Sequence, residues 1–314
     1  EVCDKWDRFF EVSREEIRTH LGFYLAASEG TGAYTEDMIP LGVKGWPADG
    51  NPYFFDVHKF DLPVTTQGLA GFEDVNDDGI YDPLDGDYPV IEIRNCEEAE
   101  PQYPDEMIFW IYNDEGGGAL HRETNGIAIR MEVQVQAFGY ATNDQINDMT
   151  FQRYKLINRA KEDIDSTYFA MWVDADLGCY LDDYIGCDID RSLAYTYNAD
   201  AEDGQPGITC PGGVATYGTE VPIIGIDYFR GPLNEFRQEL GMSSFTYFNN
   251  PSFGSPAPQD GTTDPDADFE FYNYLSGRWK DGTPYTFGGD GYNPASTNFI
   301  NYAFTGDPND DTEW

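Results

Sequence analysis

Residues 127–138, IAIRMEVQVQAF, set Ile127, Ile129, Met131, Val133, Val135 and Ala137 against Arg130, Glu132, Gln134 and Gln136 in alternation. A period of two turns one set toward a core and the other toward water, which predicts an antiparallel strand wetted on one face. MIFWIY (107–112), MTFQRYKLIN (149–158), STYFAMWVD (166–174), SLAYTYN (192–198) and PIIGIDYF (222–229) read as further strands. The expected fold is mainly β: an antiparallel β-sandwich or jelly-roll-like core with long irregular loops and a few short helices.

Helical signals stand at the two ends. Ser13 followed by Glu16 in VSREEIRTHL is a capping box and predicts a helix starting near Arg14. DADFEFYNYLSGRW (266–279) places Phe269, Tyr272, Leu275 and Trp279 on one helical face behind acidic N-terminal residues. The expected organisation is one β-rich domain. Residues 1–105 form a loop-rich region, 106–230 the sandwich core, and 231–314 a helix plus a Gly- and aromatic-rich end.

Of the 314 residues, 58 are acidic and 18 are Lys or Arg, a net charge of −40. Such a charge excludes nucleic acid and anionic membrane surfaces as partners, because both need basic patches. It favours divalent cations, cationic partners or solubility in a salty medium. Aromatic residues make up 16% of the chain and are spread along it, so this is no disordered acidic tail. No apolar run is long enough for membrane insertion.

The stretch DVNDDGIYDPLDGDYP, beginning at Asp74, gives the acidity a specific form. Asp74, Asn76 and Asp78 followed by Gly79, with Asp85 closing the loop, match an EF-hand-type calcium spacing. Alternate side chains turn oxygens inward, Gly79 permits the turn, Ile80 offers a carbonyl, and Asp82 reaches the ion directly or through water. Asp85 stands where the usual loop has Glu, as in dockerin-like extracellular loops. The alternative is an Asn/Asp/Gly-rich turn without an ion. The second acidic run, 173–190, offers Asp174, Asp176, Asp182 and Asp183 as a possible second metal site. Its spacing fits no standard loop, and a plain solvated loop is the alternative.

Cys3, Cys96, Cys179, Cys187 and Cys210 contain no CxxC and fit no zinc pattern. Two disulfides and one odd thiol suit an oxidising compartment. The favoured pairs are Cys3–Cys96 and Cys210 with Cys179 or Cys187; five buried thiols are the alternative. No nucleophile elbow, metalloprotease helix, P-loop or dinucleotide fingerprint occurs. Trp46, Trp110, Trp172 and Trp279 read either as core and interface residues or as a sugar-stacking platform.

The order of the calcium-loop stretch, MIFWIYND with HRET, then the long run from FQRYKLIN to AYTYNAD, resembles a group of large secreted proteins of Bacteroidota. GIDYFRGPL, LGMSSFTYFNN and YNYLSGRWKDGTPYTFGGDGY continue the likeness, which covers most of the chain. Such proteins are exported by type IX secretion through a C-terminal sorting domain. The resemblance implies an extracellular or cell-surface location rather than a particular activity. Cys179 departs from it, standing where a polar residue is expected.

The function these features predict is non-enzymatic: an extracellular, calcium-stabilised structural protein that self-associates into a homopolymer, as the subunit of a surface layer, appendage or fibre. Two alternatives are a glycan-binding adhesion module and a calcium-dependent hydrolase. The last needs a cleft with two carboxylates about 5 to 9 Å apart.

Overall fold

A computed structural model describes residues 3–92, 103–115, 121–204, 210, 214–252 and 258–306. The fold is mainly antiparallel β with short helices and long irregular connections. The chain divides into two compact units: residues 1–119 with 128–164, and residues 120–127 with 165–314.

In the first unit a short helix α1 (Cys3–Trp6) leads into strand β1 (Phe10–Ser13) and helix α2 (Arg14–Ser28). The capping box is formed as expected. Ser13 Oγ accepts the Glu16 N–H at 3.3 Å, and the Glu16 carboxylate accepts the Ser13 N–H at 3.0 Å. The second Glu16 oxygen accepts the Gly42 N–H at 2.8 Å, so the cap also holds the one-turn helix α3 (Leu41–Lys44). Helix α4 (Phe54–His58) and the two-residue strands β2 (Phe72–Glu73) and β3 (Tyr88–Pro89) follow. Then come the long strands β4 (Glu106–Asn113), β5 (Met131–Gly139) and β6 (Thr150–Asn158).

The main sheet runs β1–β4–β5–β6, antiparallel throughout, with Phe10 opposite Phe109 and Trp110 opposite Val135. Val12, Met107, Phe109 and Val135 are buried, and Trp6, Ile17, Val43, Trp46, Phe54 and Tyr81 share the core. Each such side chain contributes about 1.5–3 kcal/mol by leaving water. By pairing β1 with β4, the loop-rich N-terminal region supplies the edge strand of this sheet.

The second unit has its own sheet, β7 (Asp183–Asp188), β8 (Leu193–Asn198) and β9 (Ile224–Asp227), antiparallel in chain order. Helix α5 (Asp268–Leu275) stands beside an aromatic core of Tyr274, Trp279 and Tyr285. Trp279 stacks on Tyr285 with centroids 4.0 Å apart, and its indole N–H donates to the Gly291 carbonyl at 2.8 Å. Trp46 and Trp279 are therefore core residues, which takes two of the four tryptophans away from any sugar platform.

Three expectations need correction. Ile127 and Ile129 are exposed and precede β5, while Gln134 and Gln136, expected in water, are buried. Their amides donate to the carbonyls of Gly68 and Val90, which come from the irregular region covering this face. Backbone acceptors thus meet the amide N–H groups inside, while both Oε1 atoms are buried without a partner among the described residues. Residues 166–174 form no strand: Tyr168, Phe169, Met171, Trp172 and Val173 are exposed in an irregular segment. Their alternation suits a sheet, but β-propensity needs a neighbouring strand to act on. In α5 the buried residue is Tyr274, whereas Phe269 and Tyr272 point outward.

Candidate metal centres

The ladder β2–β3, with Glu73 opposite Tyr88, closes the base of the loop that begins at Asp74. The flanking elements are thus a short ladder and a 3-10 turn (Pro83–Asp85) rather than the two helices of an EF-hand. Within the loop the expected turn is formed. Gly79 has φ +77°, and Asp77 before it is also left-handed at +60°.

Three of the six expected ligands, Asn76, Asp78 and Asp85, are linked by side-chain hydrogen bonds, while Asp74 holds the backbone of the turn. Asp74 accepts the backbone N–H groups of Asp78 at 3.1 Å and Gly79 at 2.6 Å. The Asn76 amide donates to Asp78 at 3.0 Å and to Asp85 at 3.3 Å, bringing both carboxylates to one point. Ile80 follows with its N–H on Asp78 Oδ1 at 2.8 Å. Asp82 is turned to a different task. Its Oδ1 accepts the Leu84 N–H at 2.9 Å and caps the 3-10 turn. Asn76 Oδ1 accepts the Asp78 N–H at 3.1 Å, so the oxygens left for a hard cation of the calcium class are those of the carboxylates. Bound there, the ion would supply the positive charge that this concentration of carboxylates lacks.

Asp87 is the residue that reading by spacing overlooked. It lies two positions beyond the loop and is fully buried. One oxygen accepts the Val75 N–H at 2.8 Å and the other the Asp82 N–H at 2.9 Å, clasping the start of the loop to its end. Burial pushes its carboxyl above the usual range, the two N–H bonds oppose that, and the charges of Asp74 and Asp78 add to the rise. Tyr81 anchors the middle: its ring is buried against Phe72, and its hydroxyl donates to the Val43 carbonyl at 2.7 Å. His20 of α2 ties down the exit, with Nε2 3.3 Å from the Gly86 carbonyl and Nδ1 2.7 Å from the Tyr34 hydroxyl.

The second acidic run is partly assembled. Cys179 and Cys210 form a disulfide with Cα atoms 5.5 Å apart, one of the two expected pairings for Cys210, and Cys187 is a buried free thiol. Cys96 lies outside the described residues, and with it the Cys3–Cys96 pairing. Among the described residues, one group of three side chains has potential ligand atoms all within 4.8 Å: Cys179, Asp182 and Asp203. The cysteine is spent in the disulfide and offers no thiolate, so the group is a carboxylate pair. Asp203 is buried, with Oδ1 accepting from Cys179 N–H at 2.8 Å and Oδ2 from Tyr217 N–H at 2.5 Å.

Asp183, at the first position of β7, stands beside that group and accepts the Leu177 N–H at 2.7 Å. Burial raises its pKa against that hydrogen bond, and the charges of Asp182, Asp203 and Asp176 raise it further. Asp174 and Asp176 are both exposed, and of the two only the charge of Asp176 bears on Asp183. The spacing of 173–190 could not have revealed Asp203. The signal for it is the pairing of Cys179 with Cys210, which folds residues near 203 back onto the run.

No helix among the described residues is long and apolar enough to cross a membrane. Comparison with known families, curated proteins and solved structures finds no match to this chain.

Proposed function

We propose that this is a non-enzymatic, extracellular structural protein whose irregular N-terminal region is pinned by calcium, acting as a subunit of a surface layer, appendage or fibre. The observation that carries the reading is the loop 74–85, where Asp78 and Asp85 converge on Asn76 while Asp87 clasps both loop ends. A calcium ion there stabilises the native chain by mass action, since the unfolded chain holds no such arrangement.

The location outside the cell is supported by the Cys179–Cys210 disulfide, which persists in oxidising compartments, and by the resemblance to secreted Bacteroidota proteins. Self-association is supported by the run Tyr168, Phe169, Met171, Trp172 and Val173, all exposed on a chain of net charge −40. A contiguous apolar run of that kind gains free energy when a second subunit covers it. Calcium offsets the repulsion between like-charged copies.

Electron microscopy of the purified protein in millimolar calcium, repeated after excess chelator, tests the proposal. Ordered fibres or lattices that disperse on chelation are the expected result. Monodisperse single particles in both conditions would overturn it.

A further inference from the structure

Asp182 is 2% exposed, and its Oδ1 meets no hydrogen-bond donor among the described residues. Its other oxygen accepts the Gly204 N–H at 2.9 Å, and its carboxylate lies within 4.8 Å of that of Asp203. Asp183 Oδ1 and Asn198 Oδ1 are likewise buried acceptors without a donor. Asp183 and Asn198 face each other across β7 and β8. The Ala199 N–H bonds to the Asp182 carbonyl at 2.7 Å, which makes 183–198 a pair whose side chains approach closely on one face.

Buried acceptors left without donors cost about 1–3 kcal/mol each, more when charged, and native structures seldom tolerate several together. What these three share is an oxygen with no hydrogen-bond partner among the described residues. The backbone around them is shaped to keep the carboxylates in place. Gly178 has φ +80°, and a Cβ there would fall on Asp203 Oδ2. Gly204 has φ +75°, and its Cβ would sit 2.7 Å from Thr216 and 3.4 Å from the Cys210 sulfur. The turn therefore excludes side chains where it wraps the acidic group.

We propose that Asp182 and Asp203 bind a divalent cation of the calcium class, with Asp183 and Asn198 lining the adjoining ladder position. The ion would join the disulfide-bonded turn to the end of the β7–β8 ribbon. Oxygen-only donors favour calcium over zinc or copper, and calcium completes its shell of six to eight oxygens with water. The site rests on its own residues and does not depend on the loop at 74–85.

The test counts calcium bound by the full chain at physiological salt, where diffuse binding to surface charge is screened. The chain carries Asp78→Ala and Asp85→Ala, so that the first loop is disabled. One ion per chain should remain, and adding Asp182→Asn should weaken its binding roughly ten-fold or more. No bound calcium in the doubly substituted chain, or binding unchanged by Asp182→Asn, would overturn the proposal. A drop in stoichiometry from the unaltered chain to the double variant reports on the first loop alone, so the two sites fail separately. Should Asp182→Asn not fold, the reduction of Cys179–Cys210 by dithiothreitol in the double variant decides. Several-fold slower reduction in calcium than in chelator is expected, and equal rates would overturn the site.

Discussion

The Asp87 carboxylate, itself buried, accepts the backbone N–H of the exposed Val75 at 2.8 Å from twelve residues further along the chain. With the Asp82 N–H on its other oxygen, it closes the acidic loop whether or not any ligand side chain is engaged. Asp87→Ala removes both acceptors and leaves two N–H groups unmatched, which should cost about 2–4 kcal/mol. Denaturant unfolding in chelator checks this without any contribution from an ion. Asp87→Asn keeps one acceptor and should lose less.

Gly178 is held at φ +80° against the Asp203 carboxylate. Gly178→Ala meets both a left-handed backbone and a side chain already in place, so the predicted loss is about 1–3 kcal/mol. Thermal unfolding of the variant measures it. Gly218 also has a positive φ but open space around its Cβ position, so Gly218→Ala should cost less.

His20 gives a pH dependence with a definite sign. Burial lowers its pKa against the opposing hydrogen bonds to Gly86 and Asp87, so folding favours the neutral imidazole. Protons therefore enter the unfolded imidazole first, as pH falls past about 6.5. The His20 contribution is complete above that value and is lost between it and the lower folded pKa. The chain's carboxylates add slopes of their own. The measurement is therefore the stability difference between the unaltered chain and His20→Gln, taken in chelator from pH 8 to pH 5. The advantage of histidine should shrink toward pH 5.

Cys187 donates its thiol to the Ala303 carbonyl at 3.3 Å and is buried. Desolvation, aided by the charge of Asp188, pushes its pKa up to about 12. Thiolate is therefore scarce at neutral pH, and the native chain should leave Cys187 unalkylated by iodoacetamide while the denatured chain reacts fully. Mass spectrometry of the Cys187 peptide reads the outcome.

Much of this arrangement is legible in the residues themselves, because it depends on local rules. The Ser13–Glu16 box, the strands at 107–112 and 149–158, and the left-handed turn at Gly79 follow from capping, alternation and spacing. What spacing could not supply were partners distant in the chain. Gln134 and Gln136 look solvent-facing until the carbonyls of Gly68 and Val90 arrive to bond them. Asp203 stands beyond the acidic run, about twenty residues after Asp182, and joins it through a turn closed by the disulfide. Asp82 suits an ion by position, but the proline after it starts a 3-10 turn that recruits its side chain as a cap.

Peptide-resolved hydrogen exchange over residues 72–90, in millimolar calcium and in excess chelator, tests the central claim most directly. An ion held by Asp74, Asn76, Asp78 and Asp85 predicts markedly slower exchange in calcium at the amides of Asp78, Gly79 and Ile80. These now lean on exposed side-chain acceptors. Identical exchange of that peptide in the two conditions would contradict a calcium-bound loop.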